Sequence, residues 1–251
     1  MTTSQERQKP KAIYFYGTCL LDMWSPQAGM SAIKLIQREG VKVIFPPQQT
    51  CCGQPAFNSG FREDAKSVAK EQIKLFPKDI PIVVPSSSCA ALMKHHYPVL
   101  FAGDPLEEEA KQFAARVYEF TWFLVHVLDI KLEDQGSPTK VTWHASCHAL
   151  RAMNVKEEPI SLLKQLKHVE VKRLKKEYEC CGFGGTFAIK HADISGAMVQ
   201  DKVTDVLQTG ASKVLGGDCG CLMNIDGHLQ KRDDKIDSAH LADFLWERTQ
   251  Q

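Results

Sequence analysis

VKVIFPPQQTCCG (Val41–Gly53) runs from a short apolar segment into two adjacent cysteines and a glycine, and VEVKRLKKEYECCG (Val169–Gly182) makes the same passage later in the chain. The echo continues on both sides. AIYFYGTC (Ala12–Cys19) is answered by KVTWHASC (Lys140–Cys147), and PIVVPSSSCAALM (Pro81–Met93) by SKVLGGDCGCLMNI (Ser212–Ile225). The first cysteine precedes the pair by 32 positions in one unit and 33 in the other, and the last follows it by 37 or 40. Self-similarity at about half the chain length is the mark of a duplicated unit.

Each apolar run is short and partly β-branched, and amphipathic patterns of helical spacing separate the runs. SPQAGMSAIKLIQREG (Ser25–Gly40) has a Ser–Pro start and a glycine stop, the punctuation of a helix. FREDAKSVAKEQIKLF (Phe61–Phe76) and ADISGAMVQDKVTDVLQTG (Ala192–Gly210) read as two more, and Glu107–Leu128 as one long helix closing the first unit. Ser238–Arg248 reads as the helix closing the second. Alternating strand and helix predicts an α/β fold of two Rossmann-like repeats with parallel sheets, related by a pseudo-two-fold axis. The expected divisions are a flexible amino terminus (1–11), a first repeat (12–130), a polar Gly- and Pro-containing linker (131–139) and a second repeat (140–251).

Composition narrows the function. Thirty-one basic against thirty acidic residues leave a formal charge of +1, no footprint for nucleic acid or an anionic membrane. The strongest apolar run, FTWFLVHVL (Phe120–Leu128), is about half the ~20 residues of a membrane span. A polar amino terminus lacks the core of a secretory signal, so a cytoplasmic chain is expected. Nine cysteines in a reducing compartment point to metal or redox chemistry rather than disulfides.

In an open parallel sheet, ligands bind beyond the carboxyl ends of the strands, which is where these cysteines fall. Thiolates select zinc, cuprous copper or iron–sulfur groups. Structural zinc favours two spaced pairs, whereas each unit here offers a single, an adjacent pair and a single. Adjacent cysteines reach different irons of a larger cluster more readily than one small ion, and the following glycine brings backbone N–H groups close. The spacing favours iron–sulfur over zinc.

The doubled motif, with its segments CCGQPAFNSG, SCAALM, CCGFGGTFA and CLMNI, resembles the CCG-domain (cysteine-rich) iron–sulfur family from about Ala12 to Leu245. The cluster-bearing component of heterodisulfide reductase and the iron–sulfur component of glycolate oxidase belong to that family, and its lactate-utilization branch is the nearest in appearance. The resemblance implies iron–sulfur clusters of [4Fe–4S] type, up to two per chain. Their ligands would be Cys19, Cys51, Cys52 and Cys89 in one unit, and Cys147, Cys180, Cys181 and Cys221 in the other. Cys219 is the alternative to Cys221. It further implies an electron-carrying subunit of an L-lactate (2-hydroxy acid) oxidising complex that yields pyruvate, whose other subunits include a ferredoxin-type iron–sulfur protein. Relatives ending each motif in Cys-x-x-Cys have a fifth cysteine. Ser86 and Asp218 stand at those positions here. A thiol–disulfide oxidoreductase subunit and a zinc-stabilised scaffold are the rival readings. No flavin, nicotinamide or acid–base fingerprint accompanies the cysteines.

Several residues admit two readings. His144 and His148 flank Cys147, either as donors to a metal group or, for His144 in particular, as a helix-start histidine satisfied by backbone. GFGGTF (Gly182–Phe187) lacks the lysine of a phosphate loop and fits close packing around a metal group. His95, His96 and the KRLKK run (Lys172–Lys176) read as surface, His191–Ile194 as a helix-capping segment, and Trp122 and Phe123 as core.

Overall fold

A computed structural model describes residues 9–250, so the expected flexible terminus lies mostly outside the described residues. Among the described residues, eight strands make two four-stranded sheets in which every pairing is parallel. One sheet holds β1 (Ala12–Phe15), β2 (Lys42–Ile44), β3 (Ile82–Val84) and β4 (Val117–Glu119), ordered β2-β1-β3-β4. The other holds β5 (Thr139–His144), β6 (Val169–Lys172), β7 (Lys213–Gly216) and β8 (Asp237–His240), ordered β6-β5-β7-β8. Register repeats as well as order. Tyr14 sits opposite Ile44 and Ile82, and its counterpart Thr142 sits opposite Lys172 and Val214. The predicted α/β class with two parallel repeats is the fold observed.

Local chemistry explains the strands. The inner strand β3, Ile-Val-Val, is buried throughout because helices cover both of its faces. The outer strands β2 and β6 expose Lys42 and Glu170, charges that discourage pairing with another chain. Helices Pro26–Arg38, Arg62–Leu75 and Ala192–Gln208 lie where their spacing predicts, and Gly40 ends the first with a φ of +79°.

Two predicted helices are each broken by a strand. Glu107–Leu128 divides into the helix Glu107–Ala115, strand β4 and the helix Phe120–His126. Val117 and Tyr118 pair with β3, and the Glu119 carboxylate accepts the Trp122 N–H to start a fresh helix. Ser238–Arg248 likewise divides, with Ser238–His240 in β8 and the helix Leu241–Thr249 after it. Helical spacing of apolar residues hid both edge strands, because three or four residues are too few to establish a period of two.

The closing helix of each unit packs on the other unit. Leu241–Thr249 lies against Pro26–Arg38, and Phe120–His126 against Glu158–Lys164. One core therefore takes Ala28, Leu35, Phe120, Phe123, Leu163, Leu241 and Leu245 from both halves. Burying each such leucine or phenylalanine contributes roughly 1.5–3 kcal/mol. The segment between the units is anchored too. Asp134 is buried, accepts Nε and a terminal nitrogen of Arg248, both at 2.8 Å, and accepts the N–H of His168 and Gly136. Burial raises the Asp134 pKa, but these donors outweigh it and bring the value to about 2.

Candidate metal centre

Each sheet reverses its strand order between its first and third strands (β1 and β3, β5 and β7), the position at which open α/β sheets bind ligands. The loops after three adjacent strands carry the cysteines. Past β1, Cys19 opens the helix Cys19–Trp24. Past β2 comes the Cys51–Cys52–Gly53 turn. Past β3, Cys89 lies in the helix Ser87–Ala91. In the second unit, Cys147 opens the helix Cys147–Arg151, the Cys180–Cys181–Gly182 turn follows β6, and Cys221 lies in the helix Cys219–Lys231. Ser146 accepts the Ala149 N–H at 3.1 Å and so fixes the start of the Cys147 helix.

The four sulfurs of each unit meet. Cys51 is in hydrogen-bonding contact with Cys19 and Cys52, and the Cys52 thiol donates to the Cys89 sulfur at 3.3 Å. Cys180 contacts Cys147 and Cys181 in the same way, and Cys181 contacts Cys221. The glycine N–H of each turn donates back to the first sulfur of the pair, Gly53 to Cys51 at 3.5 Å and Gly182 to Cys180 at 3.4 Å. Both glycines are left-handed, with φ of +91° and +84°. A Cβ on Gly182 would stand 2.8 Å from the Ser195 carbonyl oxygen, so only hydrogen fits between the turn and that helix.

This contact pattern divides the thiols by charge. Hydrogen bonds from Cys19 and Cys52, together with the Gly53 N–H, outweigh burial and bring Cys51 to about 2. Cys147, Cys181 and Gly182 do the same for Cys180, also to about 2. The donors Cys19 and Cys147 are pushed up, first by giving their protons to those thiolates and then by burial. Each quartet thus holds a thiolate at its centre and shares protons where a metal would take their place. Four convergent sulfurs, a stabilised thiolate and inward N–H groups are a donor set that fits a thiolate-bound metal group.

Both quartets line one cavity of about 390 Å³, whose other walls combine apolar groups such as Leu20, Pro55, Phe183 and Ile189 with polar ones such as Gln54, Ser88, His148 and Asp218. Contacts between the units close around it. Asp218 accepts the Ser88 N–H and hydroxyl, Gln54 meets His148 at 3.3 Å, and Ser59 meets Thr186 at 3.0 Å. Gly184 and Gly185 of GFGGTF belong to the wall, in keeping with close packing there. Cys219 does not line the cavity. It is buried in the core shared by the units, and burial pushes its thiol up. Cys221 lines the cavity and touches Cys181.

The surroundings of the two quartets differ. Behind the first, the Tyr16 hydroxyl donates to the Thr50 carbonyl at 2.7 Å, Gln72 donates to the Thr50 hydroxyl, and the Tyr97 hydroxyl donates to the Cys52 carbonyl. Behind the second stand His144, the counterpart of Tyr16, and Lys202. Both are 1% exposed. Lys202 donates to the Lys176 carbonyl at 2.6 Å, and Asp205 accepts the N–H of Lys175 and Lys176, which braces the loop ahead of Cys180. Burial, helped by Lys202, lowers His144 to about 3 and keeps it neutral. Neither ring nitrogen of His144 has a hydrogen-bond partner among the described residues, so the backbone-satisfied reading is overturned. Sequence reasoning missed Lys202. Its signal was a lysine set on the apolar stripe of Val199, Val203 and Val206.

The other residues with two readings fall as follows. His148 is half-buried on the cavity wall, its Nδ1 3.7 Å from the Cys147 sulfur. His95 is exposed, His96 stacks on Phe57, and His191 precedes the helix Ala192–Gln208. Phe123 is core, Trp122 is half-buried, and the KRLKK run is largely exposed except for Leu174. A larger open cleft of about 630 Å³, between the helices Arg62–Leu75 and Glu107–Ala115, has no cysteine or histidine on its walls.

Comparison with known proteins agrees with the duplication. The cysteine-rich domain, CCG, matches residues 13–94 and again 141–226. The chain is 45% identical to lactate utilization protein A 2 of Bacillus cereus over 229 residues, covering 91% of this chain and 95% of that one. It is 43% identical to lactate utilization protein A of Geobacillus thermodenitrificans over 236 residues, covering 93% and 98%. Among solved structures, a hypothetical protein from Helicobacter pylori aligns with a TM-score of 0.65 at 9% identity, a likeness of fold. The alignment covers 96% of this chain and about half, 49%, of that one.

Proposed function

Since the chain belongs to the cysteine-rich CCG-domain family, in its lactate utilization A branch, we propose that it is the iron–sulfur subunit of a complex that oxidises L-lactate to pyruvate. One observation carries the reading: two cysteine quartets of like geometry converge on one apolar cavity. Cys19, Cys51, Cys52 and Cys89 would hold one [4Fe–4S] group, and Cys147, Cys180, Cys181 and Cys221 a second. Such groups supply reversible one-electron transfer when bound.

The chain's own residues prepare for that chemistry. Gly53 and Gly182 turn their N–H groups to the sulfurs and lower the cost of negative charge there. Tyr16, Gln72 and Tyr97 tie down the backbone of the first turn, and Lys202 and Asp205 the approach to the second. Leu20, Pro55 and Phe183 give the cavity between the quartets much of its apolar wall. The sequence carries no fingerprint of a hydride acceptor, so the carbon–hydrogen chemistry belongs to partner subunits, among them a ferredoxin-type iron–sulfur protein. Ile189, 83% exposed at the cavity wall, is an apolar contact available to such a partner. A cytoplasmic location completes the reading, and no helix among the described residues is long and apolar enough to cross a membrane.

Iron and acid-labile sulfide per chain, measured after anaerobic purification, test it. Roughly eight of each are expected for two four-iron groups, with a reduced-state EPR signal. Zinc alone, from an iron-replete culture, would replace the electron carrier with a zinc-stabilised scaffold.

A further inference from the structure

The two quartets repeat each other in spacing, turn and charge, yet one position behind them does not repeat. Three residues before the first cysteine stands Tyr16 in one unit and His144 in the other. The Tyr16 hydroxyl has partners, donating to the Thr50 carbonyl at 2.7 Å with the Gln72 amide oxygen at 3.4 Å. The His144 imidazole is 1% exposed, and neither of its nitrogens has a partner among the described residues. Leaving a buried polar group without a partner costs roughly 1–3 kcal/mol. A native core rarely retains such a group unless something not yet counted satisfies it.

The position of the ring says what that is. A nitrogen of His144 and the sulfurs of Cys181 and Cys221 all lie within 4.8 Å of one another, so the three donors surround one point. A neutral imidazole presents one lone pair, and nothing else among the described residues claims it. Resting on the iron–sulfur reading above, we propose that His144 is a ligand of the metal group held by the second quartet. The second site is then a mixed cysteine–histidine site with five donors, and the first a site of four cysteines. The imidazole adds a neutral nitrogen donor beside the four sulfurs and displaces none of them. The two sites therefore differ in their donor atoms, a difference that a histidine nitrogen coupling on one cluster signal reads directly.

The experiment labels histidine with ¹⁵N in the full-length protein, purified anaerobically, and reads pulsed EPR of the reduced state beside iron and sulfide content. A strong histidine nitrogen coupling on one of two cluster signals is expected. His144→Tyr, which copies the first unit, should abolish that coupling and leave the other signal unchanged. His144→Cys should keep second-site iron without nitrogen coupling. Full iron and sulfide with no histidine coupling in the unmutated protein overturns the inference and leaves the parent reading intact. A coupling that survives His144→Tyr and disappears in His148→Leu assigns the ligand to His148 and also overturns it. Absence of iron and sulfide from the unmutated protein overturns both readings. The unmutated protein alone decides whether histidine binds, should the variants fail to fold.

Discussion

Asp218 of the second unit accepts two hydrogen bonds from Ser88 of the first, from its backbone N–H at 2.9 Å and its hydroxyl at 3.1 Å. Asp218 lies three residues before Cys221, and Ser88 directly precedes Cys89. One carboxylate therefore fixes the helix start that carries the last cysteine of the opposite quartet. Asp218→Ala should cost roughly 1.5–3 kcal/mol, the range for hydrogen bonds to a charged group, with Asp218→Asn intermediate. Urea unfolding of the metal-free protein measures both. An Ala variant as stable as the parent would show that the latch contributes nothing.

The two glycine turns should tolerate alanine unequally. Both are left-handed, which costs a non-glycine residue roughly 1–2 kcal/mol. At Gly182 the new Cβ would also meet the Ser195 oxygen at 2.8 Å and Met198 at 2.9 Å, whereas at Gly53 the nearest atom is 3.3 Å away. Gly182→Ala should be the more destabilising by denaturation midpoint, and its metal content should fall first. Equal midpoints would mean that the helix bearing Ser195 yields freely.

Metal-free protein should reveal its thiolates by alkylation. Cys51 and Cys180 are half-buried and held near 2 by their cysteine and glycine donors. Their reaction with iodoacetamide, followed residue by residue by mass spectrometry, should vary little between about pH 5 and 9. Cys19 and Cys147, pushed up by the same contacts, should react appreciably only at the alkaline end. A common pH profile for all four would contradict the shared-proton arrangement.

Glu119 makes stability depend on pH away from the site. Burial raises its carboxyl from 4.5 to about 7, although Thr121 and the Trp122 N–H oppose the shift. A raised acid binds its proton more tightly when folded. Its contribution is complete below about pH 4.5 and is lost as pH rises through about 7. Glu119→Gln keeps an acceptor for the Trp122 N–H without that charge. Relative to the parent it should gain stability between pH 5 and 8, on the order of 3 kcal/mol at full ionisation. Parallel pH curves for the two proteins would exclude Glu119 as the titrating group.

The sequence by itself determined the duplication, the parallel α/β class and the two sets of four cysteines, because these reside in spacing and local pattern. Apolar runs ending in cysteine announce a strand and the loop beyond its carboxyl end, and a glycine after a cysteine pair announces a turn. It misjudged Val117–Glu119 and Ser238–His240, since edge strands of three or four residues borrow their identity from the neighbour that pairs with them. Only the tertiary structure decided that the closing helices cross between units and that both quartets share one cavity. It also set Cys219 in the core, Cys221 at the cavity, and His144 without a partner behind the second quartet. Those facts depend on contacts between residues far apart in the chain, and on which neighbour leaves a nitrogen unclaimed. No local pattern encodes either.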